Sequence, residues 1–171
     1  MSNSTISSFS PPAPLKRPTP DAALQAAVAE KSALVMARLN TIIDRHPDAV
    51  LANSLGAEDM VLMDMICKDN LPIGVFTLDT GRLNEETYTV LAQAQQHYGR
   101  EIQIMSTDYD LLEPWVREHG INGFYDSVEN RKACCQIRKL EPLSRALKGK
   151  DAWITGLRAA QSVTRQNMDW E

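Results

Sequence analysis

Cysteine is scarce in this chain, with three residues among 171, and histidine is equally scarce at three. A small, odd number of cysteines excludes a disulfide-built scaffold and favours a reducing compartment, where thiols serve metal or redox chemistry. No apolar run approaches the roughly 18 residues that a membrane-crossing helix needs, and the start lacks the apolar stretch of a secretory signal. No membrane partner is therefore expected, and the expected location is the cytoplasm. There is no long basic run either, and the net charge is −4. That balance argues against a nucleic-acid partner held by backbone neutralisation, so any anion site must be local.

What is present is ordinary for a globular protein: 43% hydrophobic and 23% charged residues. The length suits one core that buries roughly 70% of the unfolded surface. The first twenty residues hold five of the nine prolines and no acid. They carry too few large apolar side chains to offset the entropy of ordering, so residues 1–20 are read as a tail and 21–171 as the folded domain. A transit peptide would share the serines and the absence of acid. This stretch, however, has one arginine and no amphipathic helix.

From Asp21, a plausible N-cap, Leu24, Val28, Val35, Leu39 and Ile42 recur at helical spacings, and the helix is expected to end near His46 and Pro47. Four short apolar runs of strand length follow: AVLA at 49–52, IGVFTL at 73–78, IQIM at 102–105 and AWIT at 152–155. Amphipathic segments separate them, at about Glu58–Lys68, Asn84–Tyr98 with Asn84 as cap, and Leu111–His119. A linker containing Cys134 and Cys135 then leads to a short helix at Pro142–Lys148. Strands alternating with helices of this length predict an α/β fold, a parallel sheet flanked by helices.

In such a sheet, ligands bind beyond the carboxyl ends of the strands. The residues there are polar and contain glycine. After the first strand come Ser54 and Gly56, entering a helix whose N-terminus suits an anion; after the second come Asp79, Thr80, Gly81 and Arg82. After the fourth come Gly156, Arg158, Gln161, Ser162 and Arg165, whose guanidinium forks match phosphate or sulfate oxygens. Each loop alone is also readable as an ordinary turn or solvated loop. Together they favour a nucleotide-like anion.

Cys134 and Cys135 lie in RKACCQIRKL. Adjacent Cα atoms are about 3.8 Å apart, shorter than the usual disulfide separation, so a bond between the two would be strained. Two readings stay open: small buried residues on a helix with a basic exposed face, or thiolates made good ligands or nucleophiles by the flanking cations. A four-ligand site needs two more donors. Cys67 falls mid-helix in an apolar run, and His46, His97 and His119 show no ligand spacing.

Taken in order, SLGAEDMVL, FTLDTGRLNEETY, GFYDSVENRKACCQIRKLEPL and AWITGLRAAQSVTR resemble one family, the assimilatory adenylyl-sulfate (APS) and phosphoadenylyl-sulfate (PAPS) reductases. The resemblance implies an adenine-nucleotide α-hydrolase-like fold and thiol-dependent reduction of activated sulfate to sulfite and AMP in sulfate assimilation and cysteine biosynthesis. It also implies thioredoxin or a glutaredoxin-type electron donor. Members with the adjacent cysteine pair bind a [4Fe–4S] cluster and prefer APS, so Cys134 and Cys135 would supply two of its four ligands. By the same resemblance Ser54, Gly56 and Asp79–Arg82 would hold the nucleotide, and Lys139 would act electrostatically between cluster and substrate. Arg158 and Arg165 would bind phosphate and sulfate oxygens, in a loop with Gly156, Gln161 and Ser162.

The family's nucleophilic cysteine, which carries an S-sulfocysteine intermediate, and its second cluster pair are placed beyond Glu171. The expectation is of a C-terminally shortened reductase, inactive alone, with homo-oligomer formation left open. The alternatives are a PAPS reductase, a pyrophosphatase-type adenylyl transferase, or an inactive nucleotide-binding fragment. The transferase reading is disfavoured because SLGAED stands where SGGxDS-like residues are usual.

Overall fold

In the computed structural model, residues 19–157 are described. The chain divides into two units, Met1–Val35 and Met36–Glu171. The first contains the opening of helix α1 (Ala22–Arg45), where the Asp21 carboxylate accepts the Leu24 amide at 2.7 Å as an N-cap does. Most of the expected tail, residues 1–18, lies outside the described residues.

The second unit carries the end of α1 and then alternates strand and helix: β1 (Val50–Ala52), α2 (Ala57–Lys68), β2 (Gly74–Asp79), α3 (Glu85–Tyr98), β3 (Gln103–Ser106), α4 (Tyr109–His119), α5 (Val128–Cys135), α6 (Glu141–Leu147) and β4 (Trp153–Ile154). All strand pairings are parallel, in the order β3-β2-β1-β4. The α/β sheet flanked by helices is thus as expected. Leu51 and Phe76 on the central strands are fully buried, as are Met63 and Ile66 of α2 and Ile73 just before β2. Val50, Phe76 and Met105 pack with Ala146, and Leu143 and Leu147 lie against the same cluster, which seats α6 on β2 and β3.

Two local features differ from the sequence expectations. Asn84 stands at the N-cap of α3 in extended conformation, but its side chain makes no capping bond. The helix gains instead from Glu85 and Glu86 in its first turn, which complement the dipole. The segment expected to be a linker around the cysteines is helical from end to end. Ser127 caps α5 by accepting the Asn130 amide at 3.0 Å, and a π-helical turn, Gln136–Leu140, joins α5 to α6.

The π turn has a cause in the sequence. Pro142 brings no N–H to the helix, and its ring crowds the carbonyl four residues back, so regular winding fails there. The Glu141 amide reaches the Gln136 carbonyl, five residues back, in its place. The wider turn also keeps one face inward. Cys134, Arg138, Pro142 and Ala146 are all buried at four-residue spacing. In a regular α-helix each such step would overshoot by roughly 40°.

Candidate functional site

The strand order places β1 between β2 and β4: the chain leaves β1 towards β2 and β3, then returns to the opposite side as β4. This reversal creates a crevice beyond the carboxyl ends of β1 and β4, the position where open parallel sheets bind ligands. A cavity of about 360 Å3 lies there. Its lining draws Asn53, Ser54, Glu58 and Asp59 from the first loop and α2, Thr80 and Leu83 from the second loop, and Thr155 and Gly156 after β4; Lys139 enters from the π turn.

Asp59 organises the crevice. Its buried carboxylate accepts the Ser54 amide at 2.8 Å and the Ser54 hydroxyl at 2.5 Å through one oxygen, and the Gly156 amide at 2.7 Å through the other. The loops after β1 and β4 are therefore tied together across the cavity. Gly156 has to be glycine for packing reasons, because a Cβ there would lie 2.9 Å from the Asp59 amide nitrogen. Asn53, also buried, turns its side-chain oxygen to the Leu55 amide at 2.7 Å, which holds Leu55 at a positive φ of 64°. The Gly56 amide points to the Ser54 hydroxyl at 3.3 Å. The amides of Ser54, Leu55 and Gly56 are thus used within the loop, so an anion would meet the first turn of α2 instead.

The second loop is held differently. Asp79 accepts the Gly81 amide at 2.8 Å and the Tyr88 hydroxyl at 2.7 Å, and this bond pushes the Tyr88 phenol above its ordinary pKa. Gly81 adopts a left-handed φ of 66°. Thr80 is buried and its carbonyl accepts Arg138 Nη1 at 2.5 Å. Arg82 turns away from the cavity: its guanidinium donates to the Ile121 carbonyl and lies 4.7 Å over the Phe124 ring. In that position it braces the turn after α4 by a cation–π contact.

Of the residues expected from the sequence, Ser54, Thr80, Gly156 and Lys139 line the cavity; Gly56, Asp79 and Gly81 shape its loops, and Arg82 packs elsewhere. Arg158, Gln161, Ser162 and Arg165 lie outside the described residues. Asn53 and Asp59 were not anticipated as site residues. Asp59 reads in sequence as a common first-turn acid, and only the fold brings Gly156 against it.

All three cysteines are free: Cys134 is buried, while Cys135 and Cys67 are half-buried, and burial pushes the Cys67 thiol up. Arg138, 7% exposed, has no carboxylate partner among the described residues, and its Nε is buried without a hydrogen bond. Two adjacent cysteines at the end of α5 are soft sulfur donors of the type an iron–sulfur cluster takes. No group of three or more His, Cys, Asp or Glu residues gathers as a metal site among the described residues, so the pair offers two ligands.

A family model described as the phosphoadenosine phosphosulfate reductase domain matches residues 48–171. The chain belongs to this family. Among its relatives, the adenosine 5'-phosphosulfate reductase of Allochromatium vinosum is 47% identical, over 82% of this chain and 56% of the relative. The proteins of that name from Burkholderia cepacia and Pseudomonas aeruginosa (strain LESB58) are 46% and 43% identical, over 87% and 88% of this chain and 60% and 55% of theirs. This reductase-family chain therefore spans little more than half the length of these relatives. A solved structure, the phosphoadenylyl-sulfate (PAPS) reductase of Candida auris in a phosphate complex, shares the fold with a TM-score of 0.61 at 21% identity, over 82% of this chain and 70% of that one.

Proposed function

We propose that the crevice holds the adenine nucleotide of APS and that the chain is the substrate-binding part of a thiol-dependent APS reductase. The observation that carries this reading is the cavity at the strand reversal, closed by the Asp59 link and entered by Lys139 four residues after Cys135. One helix thus carries the cysteine pair and an ammonium at the cavity. Relatives bearing the APS reductase name support APS over PAPS.

In the proposed reaction a cysteine thiolate attacks the sulfur of the activated sulfate. The S–O bond to the phosphate breaks, AMP leaves, and an S-sulfocysteine forms. A dithiol donor of the thioredoxin or glutaredoxin type then attacks that cysteine's sulfur, releases sulfite and ends as a disulfide, having supplied two electrons. None of the chain's three cysteines is given the nucleophile's role here: Cys67 sits within α2, and Cys134 and Cys135 are assigned to the cluster. Cys134 and Cys135 would hold two corners of a [4Fe–4S] cluster, which when bound supplies a redox-active iron–sulfide centre. This chain's own part is to bind and orient: α2 offers its positive N-terminal end to an anion, Lys139 offsets developing negative charge, and Asp59 keeps the two loops in register.

Calorimetric titration of the 171-residue chain with APS, PAPS, AMP and ATP tests the reading. APS should bind more tightly than the others, and sulfite should not appear when thioredoxin is added. Binding of ATP in preference to APS would overturn the assignment in favour of adenylyl-transfer chemistry. Anaerobic reconstitution of a chain extended to the relatives' length should give a brown protein, and a colourless one would remove the cluster from the proposal.

A further inference from the structure

The geometry points to Arg138 as a positioning residue that braces the nucleotide loop after β2 against the cysteine helix, so that the cavity and the cysteine pair move as one unit. Three observations converge on this side chain. Its Nη1 donates to the Thr80 carbonyl at 2.5 Å, across 58 positions of sequence. The same nitrogen lies 3.4 Å from where a Cβ on Gly81 would sit, so the left-handed Gly81 leaves room for the guanidinium to pack against the turn. Finally, Arg138 is buried on the helix face that carries Cys134 one turn earlier.

Its neighbours in sequence and space give the brace a purpose. Thr80 lines the cavity from one side, and Lys139, the next residue along the π turn, lines it from another. A single side chain therefore sets the separation of two cavity walls, and its backbone belongs to the helix that carries both thiols. The other loop, after β1, is held independently through Asp59 and does not involve Arg138. Burying a guanidinium with one backbone acceptor and an unpartnered Nε is costly, and a hydrophobic side chain of similar size would pack there at less expense. The cost is accounted for if the fork is kept for position.

The test uses the metal-free, nucleotide-free chain first. Hydrogen exchange should show the Gly81 and Arg82 amides, which donate to Asp79 and Thr80, exchanging about tenfold faster in Arg138→Met, as expected for a locally loosened loop. The Ser54 and Leu55 amides should keep their wild-type rates, and Arg138→Lys, which retains one donor for the Thr80 carbonyl, should restore most of the protection. Unchanged Gly81 and Arg82 rates, or equal acceleration in both loops, would overturn the proposal.

A second arm reads the coupling and rests on the sulfonucleotide reading. Saturating APS should change the alkylation rate of Cys135 by iodoacetamide at least threefold in wild type and not in Arg138→Met, with Cys67 as internal reference. A nucleotide effect that persists in Arg138→Met would overturn the coupling. If APS fails to bind wild type at all, the functional reading falls, while the exchange arm still decides the brace.

Discussion

Asp59 and Gly156 stand 97 positions apart and share one hydrogen bond, which joins the loops on either side of the strand reversal. Replacing Asp59 by Asn would turn an amide donor towards groups that are themselves donors, the amides of Ser54 or Gly156. A buried, unsatisfied group of that kind costs about 1–3 kcal/mol. Asp59→Asn should lower the free energy of unfolding by that amount in urea denaturation and weaken APS binding at least tenfold. Gly156→Ala acts on the same contact from the other side, because its methyl group meets the α2 backbone; overpacking of this sort costs about 1–3 kcal/mol. Since the two substitutions break one link, the double variant should lose clearly less than the sum of the single losses. Strict additivity in the same denaturation experiment would show that the link carries no energy.

At the scale of elements, the strands and most helices were legible because their apolar residues recur at strand or helix spacing and the first helix stops before Pro47. The cysteine segment was not. NRKACCQIRK carries few large apolar residues, so its helix is supported by the Ser127 cap, by burial of Cys134 and by the bond from Arg138 to the Thr80 carbonyl, none of which alters the hydrophobic period. Gly156 was legible as a loop residue after a strand, whereas the use of Asp59 depended on where β4 lies in the sheet; the Arg158–Arg165 stretch lies outside the described residues. Packing between elements also yields a titration. The Tyr98 hydroxyl of α3 donates to Asp64 of α2 at 2.9 Å. Burial first, and then this bond, pushes the phenol up to about 12. Because the folded value exceeds the unfolded value near 10, the stabilisation is complete below about pH 10 and is lost as pH rises through about 12. The 295 nm absorbance difference between wild type and Tyr98→Phe should therefore titrate near pH 12, and a midpoint near 10 would mean that α2 and α3 do not meet through this pair.

For the molecule as a whole, the crevice is a binding site only if filling it stabilises the entire second unit. A ligand that binds only the folded state adds RT ln(1 + [L]/Kd), about 2.7 kcal/mol at one hundred times Kd. For a chain of this length each kcal/mol raises the melting midpoint by about 2–4 °C. APS at that excess should therefore raise the midpoint by roughly 5–11 °C, an increment set by saturation and not by the number of contacts. Lys139 supplies the ammonium in the lining, so Lys139→Met should leave the ligand-free midpoint within about 2 °C, as exposed substitutions usually do. At the same APS concentration the variant's shift should shrink, and raising the salt should shrink the wild-type shift towards it, because screening weakens a partly exposed charge pair. Inorganic sulfate at matched ionic strength separates the anion from the nucleotide. If sulfate alone reproduced the full APS shift, the crevice would be a simple anion site, and the adenosine moiety would have no place in it.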